Sequence, residues 1–314
     1  MYGIKGKKFQ RQYKNRISDF RTWENKSHAE EWLVFPQNTC ERLSIDEVAL
    51  SGGELYTVVT AKKANGKKGC LAAIIKETQS DKVIEHLMKI ERKLRLKVKE
   101  ITLDMAGSIK LIAKRCFPNA IQVIDRFHVQ KLASEALQEI RIAHRWEAME
   151  EENSAILEAR KLKQSYQPFI YQNGDTKKQL LARSRHLLYK SPTQWTESQQ
   201  ERAQILFKLY PDLEKAYRLT NELRVIYNQK IEKSLAMTRL AHWFKHIEES
   251  GFKSFNILLR TFTTHYNEIL NYFNNRSTNA SAESFNAKIK KFRTNFRGVR
   301  DKAFFLFRLQ NIFA

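Results

Sequence analysis

The sequence predicts an α/β protein: a mixed five-stranded sheet with flanking helices, interrupted by a large all-α segment before the chain's last helices. Three observations carry this. Residues 42–76 alternate with period two and break at turn signals. Residues 80–128 interleave helix-period segments with two short apolar runs. From about Val129 to Asn275 the pattern is helical throughout.

Taken in order, residues 1–38 are polar and basic, with scattered aromatics (Phe9, Tyr13, Phe20, Trp23, Trp32) and weak periodicity, and read as an arm. Arg42 to Leu50 reads as a strand, Ser51-Gly-Gly53 as a tight turn, and Glu54 to Lys63 as a second strand. Asn65-Gly66 signals a hairpin into a third strand, Lys68 to Lys76. The period then changes. Val83, Ile84, Leu87, Ile90 and Leu94 share one helical face, capped by Ser80 or Asp81. Val98 to Leu103 is a short strand ending at Asp104, a helix runs through Ile109 and Ile112 to Pro118, and Ile121 to Ile124 is a strand ending at Asp125. The order β-β-β-α-β-α-β is a meander followed by two helical crossovers, and crossovers imply parallel pairing. Trp243 and Phe244, in the aromatic-rich part of the helical stretch, read as core of that stretch. The last motif, AESFNAKIKKFR, lies on a helix starting near Ser281.

Lys and Arg number 56 against 34 Asp and Glu, giving +22 and a pI near 9.8. Such an excess repels itself in a compact chain and fits an anionic partner, nucleic acid first. The basic arm then docks on that partner or on the protein body. Cys40, Cys70 and Cys116 stand far apart with no CxxC, which makes neither a disulfide framework nor a zinc knuckle and suits a reducing cytoplasm. No apolar core follows the basic N-terminus, so no signal peptide is expected. The longest apolar run, Leu71 to Ile75, is far short of the ~20 residues that span a bilayer. A soluble, intracellular protein is expected.

The chemistry gathers at strand positions. Asp46 lies mid-strand in the motif SIDE, and Asp104 ends the fourth strand, followed by Gly107-Ser108. In a meander-plus-crossover sheet the first and fourth strands are neighbours, so the two carboxylates approach each other. Close carboxylates repel unless a cation sits between them, and a hard, oxygen-seeking ion such as Mg²⁺ removes the penalty. Singly, each Asp also suits a turn or cap. Glu283 is the only acid between Glu268 and Asp301, set in a strongly basic helix. It is a third ligand candidate, or a residue closing a capping box at a helix start.

SIDE, TLDMAGS, IDRFHV and NRSTNASAESFNAKIKKFR…RG, in that order, resemble the DDE transposases of bacterial insertion sequences, most closely the ISL-three-type branch, over about residues 40–312. The resemblance implies an RNase H-like fold with an Asp-Asp-Glu triad at Asp46, Asp104 and Glu283. It implies two Mg²⁺ ions, for which Mn²⁺ substitutes, with Asp46 bridging both and Asp104 and Glu283 holding one each. It also implies a helical insertion before the Glu helix. The expected organisation is a basic arm (1–38), the first part of the core (39–128), the insertion (129–275) and the C-terminal core helices (276–314).

The expected activity is DNA strand cleavage and strand transfer of an insertion sequence. A nuclease or resolvase on the same fold, or a non-catalytic DNA-binding descendant, are the alternatives. Asp125-Arg-Phe-His128 resembles the Asp/Cys-x-x-His signature of related transposases. There His128 would orient a scissile phosphate or stabilise a flipped base and Asp125 would steady it; the bland alternative is a charged pair closing a strand. Glu283, Asn286 and Lys290 fall at i, i+3 and i+7 on one helix face. Asn286 and Lys290 are expected to meet phosphates, and Arg126, Lys288, Lys291, Arg293, Arg297 and Arg300 to bind DNA, with Phe292 and Phe296 as core anchors. Partners follow: element ends and target DNA, a homodimer or higher oligomer, and a nucleoid-associated location. The zinc finger and helix-turn-helix usual in full-length relatives do not precede the core, so a companion DNA-binding polypeptide is expected to supply end recognition.

Overall fold

The computed structural model describes residues 6–50, 53–294 and 301–314. The chain divides into two compact units, Met1–Asp125 with Asn275–Ala314, and Arg126–Asn274.

In the first unit, helix α1 (Gly6–Gln12) precedes strands β1 (Trp32–Val34), β2 (Arg42–Ala49), β3 (Leu55–Ala61) and β4 (Leu71–Ile75). Helices α2 (Ser80–Leu87) and α3 (Arg92–Arg95) lead to β5 (Glu100–Leu103), and α4 (Gly107–Cys116) leads to β6 (Ile121–Ile124). The sheet order is β1-β4-β3-β2-β5-β6. The strands from β1 to β2 pair antiparallel, and β5 and β6 add parallel to β2. The meander and crossovers therefore place the first long strand beside the fourth, and β4-β3-β2-β5-β6 is the RNase H-like sheet.

The sheet has six strands rather than five. The extra edge strand, β1, lies inside residues 1–38, and only three residues pair with β4 (Trp32↔Ile75 to Val34↔Ala73). So short a run carries no readable alternation; it is a strand because β4 offers an open edge. The rest of that segment docks on the body. Phe20, Ala29, Leu33 and Phe35 are buried in one core with Val48, Tyr56 and Val58 of the sheet. The Phe20 ring meets that of Phe304 edge-on at 5.1 Å. Asn65 and Gly66 do turn the chain with positive φ (49° and 71°), but after a short 3₁₀ turn, Lys62–Ala64, rather than in a two-residue hairpin.

Alternation along β2 gives the sheet two chemically different faces. One carries Asp46 and Val48, and is covered by α13 (Ala280–Thr294) and α14 (Lys302–Phe313) through Phe285, Ile289, Phe304 and Phe305. The opposite face carries Leu43 and Ile45, packed under α4.

The second unit is helical: α5 (Arg126–Lys161), α6 (Lys177–Arg183), α7 (Glu197–Leu209), α8 (Pro211–Asn228), α9 (Lys233–Ser250), α10 (Lys253–Thr264), α11 (Tyr266–Leu270) and α12 (Tyr272–Asn275), the last ending at the boundary. Trp243 is fully buried, its indole N–H donating to Leu219 O at 2.9 Å, and its ring packs with Phe244 and Phe262. Trp243 thus builds the core, and Phe244 packs against it half-buried. Asp175, also fully buried, accepts from Arg202 Nε at 2.7 Å and from Arg183. Burial pushes its carboxyl up, but the hydrogen bonds and charges of both arginines outweigh that and hold it below the usual carboxylate range. A depressed acid contributes stability above its unfolded pKa and loses it as pH falls through the folded value. Asp175→Ala should therefore cost about 3 kcal/mol in urea unfolding at neutral pH, the deficit narrowing below about pH 4.

Candidate active site

Two carboxylates meet where β2 and β5 run side by side. The parallel register pairs Arg42 with Glu100 and Ser44 with Thr102. Asp46 follows two residues after the last paired position of β2 and Asp104 two after that of β5, and both charges act on Glu47. Asp104 lies just past the end of β5, and its Oδ1 accepts the Ala106 N–H at 2.9 Å, a turn that starts the chain into α4. Asp46 is half-buried; its Oδ1 accepts its neighbour Glu47's N–H at 2.8 Å and its Oδ2 accepts Asn286 Nδ2 at 2.6 Å. A third acid stands close. Burial, then the charges of Asp104 and Asp46, raise the Glu47 carboxyl above its ordinary value. Glu47 is the last letter of SIDE and directly follows Asp46, and no spacing in the sequence singles it out.

Helix α13 approaches this pair by its buried stripe of Ala282, Phe285, Asn286, Ile289 and Arg293. Phe285 and Ile289 sink into the core, and Asn286, 7% exposed, is carried onto Asp46. Glu283 lies one turn before Asn286, in the helix's first turn, with its side chain exposed. Among the described residues, no group of three or more His, Cys, Asp or Glu side chains is placed to hold a metal ion. The structure thus places Asp46 and Asp104 on neighbouring strands, hydrogen-bonds Asp46 to Asn286, and leaves the Glu283 side chain exposed.

The start of α13 is fixed by two buried carboxylates of the parallel strands. Asp125, fully buried after β6, accepts the Asn279 N–H through Oδ2 at 2.6 Å, at the residue just before the helix. Glu100, 5% exposed, accepts Asn275 Nδ2 at 3.0 Å and Ser277 Oγ. Beneath them Lys62 Nζ reaches Thr102 Oγ1 and lies 3.8 Å from Glu100 Oε1. Burial pushes the Lys62 ammonium down to about 8 against the pull of Glu100 and Asp125. His128 falls on α5 in the second unit, half-buried.

The basic residues assigned to DNA separate into two groups. Lys290 and Lys291 are exposed on α13, as is Lys288, whose Nζ donates to Gly66 O at 3.0 Å. Arg293 turns inward: it is 8% exposed, its guanidinium bonds both oxygens of Glu54 at 3.3 Å, and it lies over the Phe305 ring. Phe292 packs against Phe305 at 5.6 Å, a core anchor. Arg126 Nη1 donates to Asn228 Oδ1 on α8 at 3.0 Å. Arg297, Arg300 and Phe296 lie outside the described residues.

No helix among the described residues is long and apolar enough to cross a membrane. Searches of curated proteins and of solved structures return no match. A family profile of the ISL-three-type DDE group, described as Transposase, matches residues 43–309, from within β2 to within α14. That span takes in Asp46, Asp104, Asp125 and Glu283 in order, and the chain belongs to the ISL-three-type DDE transposase family.

Proposed function

We propose that this transposase cuts DNA at the ends of an insertion sequence and joins the freed ends to target DNA, at a divalent-ion centre formed by Asp46, Asp104 and Glu283. The observation that carries this is that Asp46 and Asp104 follow the paired stretch of β2 and β5 and both act on Glu47, with the Glu283 helix hydrogen-bonded to Asp46 through Asn286.

The residues fit a hard cation. Asp46, Asp104 and Glu47 crowd negative charge, and Asn286 Oδ1, buried beside Asp46, has no hydrogen-bond partner. An orphaned oxygen next to mutually repelling carboxylates is a set of donors that Mg²⁺ or Mn²⁺ satisfies. Asp46 and Asp104 would hold the ions, two by the family pattern, with Glu283 completing the set from the rim. Such ions supply Lewis-acid charge neutralisation at a phosphate.

The chain's own groups do the positioning. The Asn286 amide fixes the Asp46 carboxylate, and the Ala106 N–H fixes Asp104. Lys288, Lys290 and Lys291 hold backbone phosphates along α13. Water attacks the scissile phosphorus, the bond to the 3′ oxygen breaks, and that oxygen leaves as a 3′-hydroxyl. The hydroxyl then attacks a target phosphodiester, exchanging one P–O bond for another.

The experiment is an incubation of the full chain with Mg²⁺, DNA carrying the boundaries of its own element, and a supercoiled target plasmid. Joined products are expected. Cleavage without joining would make it a nuclease or resolvase, and neither reaction would make it a non-catalytic DNA binder.

A further inference from the structure

A large cavity in the first unit lies at the ends of β2 and β5 opposite Asp46 and Asp104, and reaches the start of α13 at Ala280 and Ser281. Its volume is about 1120 Å³. Arg42 opens β2, Lys97 and Lys99 precede β5, Lys62 and Lys63 follow β3, and Arg276 lies on the segment that enters α13; all six line the cavity. The one acid among the lining residues is Glu41, exposed and paired with Lys99 at 2.6 Å. Six cations therefore line the cavity against one lining carboxylate; Glu41 pairs with Lys99, and Glu100, beneath the lining, lies 3.8 Å from Lys62. Arg42, Lys63, Lys97 and Lys99 are exposed and screened by water, Arg276 is half-buried, and Lys62 is 13% exposed. A buried ammonium that burial has weakened gains most when an anion joins it.

We propose that this cavity is a second DNA-binding site, taking successive backbone phosphates of one strand several nucleotides from the cut. Its size sets the class of ligand. Cations arriving from four separate segments of chain, around a volume many times that of a phosphate ion, match a string of charges rather than one. The placement agrees. Arg42 stands four residues before Asp46 on an extended strand, roughly 13 Å away, which is the axial rise of about four base pairs of duplex. A strand with its scissile phosphate at Asp46 thus has the reach to enter the cavity. The proposal rests on DNA being the substrate, and none of these six residues lies on the α13 track.

The test is fluorescence anisotropy of the full chain on a labelled duplex across a salt series. Lys63→Gln/Lys97→Gln removes two exposed charges from the cavity. Lys161→Gln/Lys163→Gln, exposed in the second unit, is the charge-matched control. Each lost phosphate contact lowers the slope of log K against log salt by about 0.9, so the cavity variant should lose up to about 1.8 and bind about tenfold more weakly at moderate salt. The control should match wild type, and both variants should melt with it. A cavity variant with the wild-type slope overturns the site while leaving DNA as substrate. Wild type with a flat salt response overturns both. Inorganic phosphate is added at ionic strength matched with chloride. Displacement of DNA from wild type alone, beyond the chloride effect, would make the cavity a small-anion site and also overturn the proposal.

Discussion

Asp104→Asn is expected to lower divalent-dependent strand cleavage by about 10³-fold or more, with the fold intact. The amide is isosteric and keeps the Oδ1 that accepts the Ala106 N–H, so the turn into α4 survives. What disappears is one of the two negative charges that act together on Glu47. An ion neutralising charge at the transferred phosphate is worth several kcal/mol, and about 4 kcal/mol corresponds to 10³ in rate. Without metal the variant should be no less stable than wild type, since the neighbouring Glu47 already registers the repulsion from Asp104 and Asp46. Adding Mg²⁺ should raise the melting temperature of wild type and not of Asp104→Asn, because only a bound ion stabilises the folded state.

Single-turnover cleavage with an Asp46→Asn companion measures the loss, and equal rates in wild type and both variants would sink the assignment. Glu283→Gln is the more discriminating case. It should fall by a similar factor if that carboxylate swings in from the rim when DNA and metal bind. A rate within about threefold of wild type would remove Glu283 from the centre, because losing a third metal ligand cannot cost so little.

Why Glu283 stays the open member follows from what a sequence displays. Asp46 on β2 and Asp104 just past β5 belong to neighbouring strands, an adjacency that a meander and a crossover dictate and the sequence displays. Glu283 sits on a helix, and its orientation depends on which stripe the core claims. The spacing places Glu283, Asn286 and Lys290 on one face, but Phe285 and Ile289 rotate the helix so that Asn286 turns in and its two companions stay out. Long-range pairs were hidden for the same reason. Nothing near Arg293 marks its partner as Glu54, 239 residues earlier, which takes it from the DNA-facing set into the core. Edge strand β1 was invisible because three residues hold too little alternation to read. No spacing announces that Asp125 Oδ2 accepts a backbone amide 154 residues on.

That last bond yields the second large effect. Asp125→Ala should slow cleavage by about 10²-fold and destabilise the protein by about 2–3 kcal/mol, while Asp125→Asn keeps most of both. The alanine leaves the Asn279 N–H buried with no acceptor, a cost of ~1–3 kcal/mol, and forfeits a charge-assisted hydrogen bond besides. Asparagine still presents an oxygen at that place, so only the charge is lost. The rate should suffer beyond the stability because Asn279 is the residue from which α13 departs, and Glu283 N bonds to Asn279 O at 2.8 Å. A start displaced by ~1 Å carries Asn286 and Glu283 off the Asp46–Asp104 pair, and misplacement on that scale costs about 10². The readouts are the Mg²⁺ concentration at half-maximal rate and hydrogen exchange in the first turn of α13, both measured well below the melting temperature. Both should rise in Asp125→Ala and return toward wild type in Asp125→Asn. If the alanine variant melts early yet cuts with wild-type metal dependence, Asp125 only stabilises the fold, and the placing of the Glu helix must be credited to Glu100 and the core beneath Phe285.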